Sequence, residues 1–378
     1  MGIVIRPEER DHRNISRLTL TYSRGRLETP NRMVTKNDLN AKNGLGADVP
    51  LTSLRNLFIC EEKINSDVLN NILNRNGYLA EFILKLEKSL GRIDNTGAMK
   101  AIFPKVTGSL MPSLLTDHNI KRRVVNFILQ LMSEEAADFY LLQMELLDQH
   151  TFSYLNSLEV QYAPVLDIHS YDSVSSVLPY LVSLSTSNVP MIGLTYASYK
   201  NANLSYDFLM SSLESVHEAN KAIITVGVPR VLGKNEYDRD VSAPHYSSFL
   251  VSDIVAEEYH SHFAGGNGPD GIKIFEKKDL AIPPVTQGHN LAEHSGEDTA
   301  FSSDQNLKDL FWRTLGASNT EEDIRRNRPG YISRIHETLE TTKEYENMKR
   351  SIINHELLEY RRSKTRMNDL LNHQSREL

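Results

Sequence analysis

From about residue 100 onward, short apolar runs alternate with longer stretches of helical period, and few folds can accommodate that pattern. The runs fall at 101–106, 139–147, 162–168, 189–196 (V-P-M-I-G-L-T-Y) and 221–228 (K-A-I-I-T-V-G-V). Between them, 117–132, 170–184 and 205–220 carry apolar residues spaced for one face of a helix. Strands of this length alternating with helices specify a parallel sheet. The runs are continuous in hydrophobicity, as expected of strands covered on both faces. A closed barrel and an open doubly wound sheet both satisfy the pattern. No G-x-G-x-x-G follows the first run and no G-x-x-x-x-G-K-[ST] occurs, which favours the barrel.

The predicted fold is therefore α/β, a (β/α)8 TIM-like barrel with a C-terminal helical extension. Residues 1–280 are read as barrel, 281–318 as a loop-rich connector and 319–378 as a charged helical tail. Leu18 to Tyr22 is a further strand candidate, and 271–275 another. The stretch 247–260 reads as a helix, or as a strand with a short helix, and 67–90 as helix split at Gly77. In the tail, Pro329-Gly330 interrupts the helical spacing, and a last helix is expected over 341–371.

Composition bounds the function. The 378 residues are 40% hydrophobic, ample for a barrel of roughly 250 residues and an appendage. No apolar run approaches the roughly 20 residues that cross a bilayer. The N-terminus carries charges of both signs and lacks a secretory apolar core. Cys60 is the single cysteine, so neither an internal disulfide nor a multi-cysteine zinc cage can form. A cytoplasmic protein is the expectation. Net charge is −7, against the basic balance usual for proteins that grip many phosphates. Residues 1–36 nevertheless hold eight Arg or Lys against four acids, so a nucleic-acid partner would have to use the ends or a local patch.

In a barrel the chemistry gathers at the C-terminal ends of the strands. Asp167 and His169 close one run two residues apart, a pairing suited to acid–base work or to metal binding, and equally to a helix cap. Thr195 and Tyr196 close the next, where Gly193 permits close approach of a ligand or of another backbone. Gly227 and Arg230 end the following one. Asp253, Glu257 and Glu258 lie near His260 and His262, and of these Glu257, His260 and His262 form a ligand-like set that also fits a solvated face. Asp94 sits in the turn R-I-D-N-T-G. His289, Glu293, His294, Glu297 and Asp298 form a polar loop. An unrelated barrel enzyme using Asp167 and His169 on a small molecule satisfies the same residues.

Several stretches, in order, resemble the tRNA-guanine transglycosylase superfamily, which includes archaeosine enzymes and DNA-modifying 7-deazaguanine transglycosylases. Gly25-Arg26-Leu27-Glu28-Thr29-Pro30 resembles its N-terminal G-x-L-x-T-P hairpin, and Pro50-Leu51-Thr52-Ser53 its next strand. Gly193-Leu194-Thr195-Tyr196 resembles its base-contacting strand. Ile224 to Pro229 is similar to its L-x-G-V-G-x-P stretch, Ser252 to Ala256 to its G-x-D-[LM]-F-D, and His289-Asn290-Leu291 to its late H-N-L. The similarity spans roughly residues 20–310.

The resemblance implies a (β/α)8 barrel that exchanges a guanine for a 7-deazaguanine base in DNA or tRNA. An Asp nucleophile would form a covalent intermediate and a second Asp would act as acid and base. Asp94, Asp253, Glu257 and Asp167 are the candidate catalytic residues on this reading. Gly193, Thr195, Tyr196, Gly227 and His169 are the candidate substrate contacts. No cofactor and no metal are expected. Ala256 stands at the aligned nucleophile position, the family's D-S-G turn is represented only by Asp94-Asn95-Thr96-Gly97, and its zinc ligands are missing. The connector would replace the zinc region by apolar packing. A catalytically inactive subunit that binds a partner enzyme or nucleic acid is the alternative, with a homo- or hetero-oligomer formed through the C-terminal helices.

Overall fold

A computed structural model describes residues 3–10, 16–45, 57–90, 98–134, 137–157, 161–167, 189–196, 216, 219–233, 240–258, 273–284, 301–315, 320–326 and 328–374. Eight parallel strands form one sheet: β4 (Asn31–Arg32), β5 (Leu57–Ile64), β6 (Met99–Val106), β7 (Phe139–Gln143), β8 (Tyr162–Leu166), β9 (Met191–Thr195), β10 (Ala222–Val228) and β11 (Ile254–Glu257). Each pairs with its neighbour in sequence, and β11 returns to β4 with Ile254 opposite Asn31. The ring closes just past β4. Val34 N–H donates to Leu57 O (2.8 Å), and Ile59 N–H donates to Val34 O (2.9 Å), a parallel bridge between Val34 and Phe58. The fold is a (β/α)8 TIM-like barrel.

The repeating pattern that begins near residue 100 misses the barrel's first two strands. They lie at Asn31–Arg32 and Leu57–Ile64, where the apolar pattern marks no strand, whereas the strand read at Leu18 to Tyr22 belongs to a separate antiparallel sheet. β4 is short and polar, and β5 reads L-F-I-C-E-E-K-I, so neither presents an uninterrupted apolar run. Further along, Ala243–Leu250 is helix and Ile254–Glu257 is strand, resolving the ambiguous stretch at 247–260. The strand expected at 271–275 is represented among the described residues only by an isolated antiparallel bridge of Lys273 with Pro284. The helices expected at 170–184 and over most of 205–220 lie outside the described residues.

Side chains alternate along each strand between the lumen and the outer helices. Leu57, Ile59, Met99, Ala101, Phe103, Phe139, Leu141, Ala163, Val165, Met191, Ala222, Ile224, Val226, Ile254 and Ala256 form one apolar cluster that fills the lumen. The same cluster takes in Leu18, Leu20, Tyr22 and Leu27. These come from an antiparallel sheet of β1 (Val4–Arg10), β2 (Ser16–Tyr22) and β3 (Gly25–Glu28). That sheet seals the N-terminal end of the barrel: Arg24 ion-pairs with Asp138, just before β7, and Thr29 N–H donates to Leu18 O (2.9 Å).

The outer layer includes α1 (Lys36–Leu45), α2 (Ser66–Asn74), α3 (Tyr78–Leu90), α4 (Met111–Thr116), α5 (His118–Ser133), α6 (Gln149–Ser157) and α7 (Ala243–Leu250). Their start signals are local. The Asn65 side chain accepts from Val68 N–H to cap α2, and Asp117 accepts from Asn119 and Ile120 N–H to cap α5. The helix 67–90 divides at Gly77, whose φ of 84° suits glycine.

The charged tail is built into the body. After α8 (Gln305–Leu315) and α9 (Glu321–Arg325) comes α10 (Arg328–Ile353), then α11 (Leu357–Ser363) and α12 (Thr365–Gln374). Pro329 and Gly330 begin α10, where proline's missing N–H costs nothing. The single helix expected over 341–371 is broken at 354–356, where His355 has φ 59°, and again at Lys364. α10 packs against α1, α8 and the edge of the barrel, and buries Ile332, Ile335, Leu339, Met348 and Ile352. Phe301, Leu307, Phe311 and Leu315 pack into the same core.

Candidate functional site

The alternation that fills the lumen continues to its C-terminal rim and there changes character. After Leu57 and Ile59 comes Glu61. Lys105 follows Phe103, Gln143 follows Leu141, Asp167 follows Val165 and Thr195 follows Gly193. Each shares the lumen side with the apolar residues before it, so a polar ring caps the apolar plug.

The ring is cross-linked. Thr195 Oγ1–H donates to Asp167 Oδ1 at 2.6 Å. Lys105 Nζ lies 3.7 Å from Glu61 Oε1, with Glu61 only 4% exposed and the lysine side chain partly open to solvent. Gln143 Oε1 accepts from Val106 N–H at 2.7 Å, which fixes its amide on the neighbouring strand. Gly227 adopts φ 70°, and a Cβ there would sit 4.0 Å from Lys105 Nζ. Among the described residues the mouth thus presents the Lys105 ammonium, the Glu61 and Asp167 carboxylates, the Thr195 hydroxyl and the Gln143 amide.

Of the residues expected to act, Asp167, Thr195, Gly193 and Gly227 meet on this lumen side. Gly193 has a packing role of its own: a Cβ would lie 2.7 Å from Val165 Cγ2 and 3.1 Å from Val165 Cα. Gly193→Ala is expected to destabilise the barrel by about 1–3 kcal/mol, through overpacking against a rigid strand. Urea unfolding would measure this, and an unchanged midpoint would refute it. Tyr196 falls on the other parity and is buried with the outer apolar layer. Asp94, His169, His260, His262 and the polar loop 289–298 lie outside the described residues.

Asp253 and Glu257 go elsewhere. Asp253 precedes β11, at the opposite end of the strand from the mouth. Its Oδ2 accepts from Ile223 N–H (2.8 Å), its own N–H donates to Ile223 O, and its carbonyl accepts from Asn31 N–H. It is a splice between three strands. Ala256, at the aligned nucleophile position, does face the lumen, but with a methyl group. A one-residue step along a strand changes face, so Glu257 points outward.

There Glu257 joins a buried ion-pair network. Arg32 Nε donates to Glu257 Oε1 (2.5 Å), and Arg334 Nη2 donates to Glu257 Oε2 (2.6 Å). Both guanidinium groups also reach Asp38, at 3.3 Å from Arg32 and 2.8 Å from Arg334. Asp38 further accepts from Thr35 N–H (2.8 Å) and Thr338 Oγ1–H (2.9 Å). Burial alone would raise both carboxyl pKa values, but the two arginines hold them below their ordinary range. The carboxylates in turn push both guanidinium values up, against desolvation. Arg230, beyond β10, ion-pairs with Glu337 on α10. The network clamps α10 to α1, β4 and β11 and leaves these groups no access to the mouth.

Part of the basic N-terminus is likewise engaged. Arg17 pairs with Glu8 and Glu28, Arg26 with Glu8 and Arg24 with Asp138, at the sealed end of the barrel. Among the described residues no group of three or more His, Cys, Asp or Glu side chains could hold a metal ion, and no helix is long and apolar enough to cross a membrane.

Sequence reasoning overlooked Glu61, Lys105 and Gln143. The available signal was a charged or amide residue on the lumen parity of an apolar strand, which becomes legible once β5 is recognised. A scan against protein-family models matches none, and a search of curated proteins finds no match.

Proposed function

We propose that the chain is a divergent transglycosylase-like barrel that binds a guanine-type base of a nucleic acid at its C-terminal mouth without exchanging it. The ordered motifs from Gly25 to Leu291 support the kinship, and the polar ring over an apolar plug supports a planar ligand with hydrogen-bonding edges. Ala256 is the observation that carries the non-exchanging part. Covalent exchange needs a carboxylate that can reach the sugar carbon. The aligned position offers a methyl to the lumen, Asp253 is spent on β10, and Glu257 is spent on Arg32 and Arg334. The protein would then serve as a binding subunit in the cytoplasm, needing no cofactor. Its docking face for a partner enzyme or a second copy would be the outer side of α11 and α12, because α10 is already buried.

Asp167 keeps a second reading in play, base exchange with Asp167 as the nucleophile, since it stands on the lumen side of the rim. One experiment separates them. The protein is incubated with tRNA or duplex DNA and a 7-deazaguanine base, then run on a denaturing gel. The binding reading expects retention of nucleic acid on native gels and no covalent species. A denaturant-resistant adduct that disappears in Asp167→Ala would establish exchange instead.

A further inference from the structure

A second lysine stands beside Lys105 where the strands end. Lys63 and Lys105 are direct partners in the parallel pairing of β5 with β6. Strand parity puts both on the lumen side: Lys63 follows Leu57, Ile59 and Glu61 in steps of two, and Lys105 follows Met99, Ala101 and Phe103. Both side chains are partly buried. Like charges directly opposite each other on neighbouring strands destabilise a sheet. Glu61 offsets only part of this, at 3.7 Å from Lys105 Nζ, and Lys63 has no ion-pair partner among the described residues.

Lys105 also reaches inward. Three strands separate β6 from β10 whichever way the closed ring is followed, so the two face each other across the lumen. The Lys105 ammonium nevertheless lies 4.0 Å from where a Gly227 Cβ would be, and 6.0 Å from the centroid of the Phe103 ring. One ammonium thus hangs over the apolar plug, and the other starts from the adjacent strand, about 4.8 Å away in the sheet. Lysine stems are long enough for both to meet one group. The turn after β6 adds neutral donors: the Thr107 and Ser109 hydroxyls lie 3.3 Å apart, and nothing stands within 4 Å of where a Gly108 Cβ would be.

From this juxtaposition we infer that Lys63 and Lys105 form an anion subsite that takes the phosphate group of a small phosphomonoester. Such a group carries a charge of about −1.5 to −2 at neutral pH and three acceptor oxygens. It engages both ammoniums at once and removes the repulsion that the empty pair sustains. A backbone phosphodiester offers a similar shape but a single charge. Asp167, two strands beyond β6, repels the phosphate and accepts from hydroxyl groups. The phosphate therefore lies towards β5 and β6, and the hydroxyl-bearing end of the ligand towards β8. The inference goes beyond the base-binding reading and stands without it.

Calorimetric titration of the full chain with ribose 5-phosphate, ribose and a single-stranded oligodeoxynucleotide lacking terminal phosphates tests it. Ribose 5-phosphate should bind, inorganic phosphate should compete with it, and ribose should bind far more weakly. Lys63→Gln and Lys105→Gln should each weaken ribose 5-phosphate by about 10–100-fold, the range for one hydrogen bond to a charged group. Lys63→Arg keeps the charge and should retain binding. Removing one of two opposed ammoniums should leave the thermal midpoint of ligand-free Lys63→Gln unchanged or higher. A lower midpoint would make Lys63 a structural residue and overturn the inference. So would ribose 5-phosphate binding that survives both glutamine variants, loss of binding in Lys63→Arg as well as in Lys63→Gln, or no binding of ribose 5-phosphate by the unmodified protein. Oligonucleotide binding that needs both lysines, with ribose 5-phosphate inert, overturns the choice of a monoester and assigns the pair to a nucleic-acid backbone. The base-binding reading is judged separately, by the native and denaturing gels.

Discussion

Arg334→Met is expected to cost about 3–5 kcal/mol of stability, because it removes one of two cations from a buried group of four charges and leaves a carboxylate without compensation. Arg334 reaches Asp38, Glu257 and Glu337, and Asp38 is fully buried. The remaining Arg32 cannot neutralise two carboxylates in a medium that solvates charge poorly. Urea unfolding monitored by circular dichroism gives the measurement. Arg326→Met is the comparison, since Arg326 pairs with Glu322 where both side chains are about half exposed. Such a pair contributes about 1 kcal/mol or less. Equal losses in the two variants would mean that the buried network does not hold α10 to the barrel. The loss at Arg334 should also resist added salt, because ions screen buried pairs far less than exposed ones.

Stability is expected to fall steeply as the medium is acidified from neutrality, well before the carboxylates titrate. His245 lies under the ring of Tyr345, with centroids 4.8 Å apart, and its Nδ1 is 2.9 Å from Ser242 Oγ. His336 stacks on Phe311 at 4.3 Å, and its Nδ1 is buried without a hydrogen-bond partner among the described residues. Burial first, and then nearby cations, push both imidazoles down to about 3 from an ordinary value of 6.5. The cations are Lys364 and Arg32 for His245, and Lys277 and Lys343 for His336. Below pH 6.5 the unfolded chain takes up two protons that the folded chain refuses. Folding therefore weakens as pH drops towards 3, by up to about 1.4 kcal/mol per pH unit for each histidine. Asp38 acts in the same direction but later: its depressed value stabilises the fold above the ordinary 3.8 and ceases to do so as pH falls below it. Midpoints of thermal unfolding at pH 7, 6 and 5 would show the slope. His336→Phe keeps the stacking face and removes the titration, so it should flatten the curve and lose nothing at pH 7. A variant as acid-sensitive as the parent would rule out this source.

The two ends of the chain were read least well, and for the same reason. In β6 to β10 the strands run between the apolar lumen and the outer helices, and hydrophobicity marks them wherever they are written. β4 and β5 carry Asn31, Arg32, Glu61, Glu62 and Lys63, because their ends serve the ion-pair network, the mouth and the outer surface. α10 misleads in the same way. Arg334, Glu337, Glu340, Glu344 and Lys349 suggest a solvated face, yet all five are buried, each within reach of an opposite charge. Charge marks a residue as exposed only when its partners are absent, and those partners come from elements up to 296 residues away in sequence.

The candidate site divides along the same line. Local order along the chain determined the alternation of strands and helices, the caps at Asn65 and Asp117, and the approach of Asp167 to the rim, because each depends on neighbours a few residues apart. Only closure of the ring decided that Glu257 faces out and Ala256 in. Closure likewise set Asp253 among three strands and carried Lys105 across the lumen to Gly227. Strand parity is a property of single residues, but the side of a barrel that a parity denotes is defined only when the first strand hydrogen-bonds to the last.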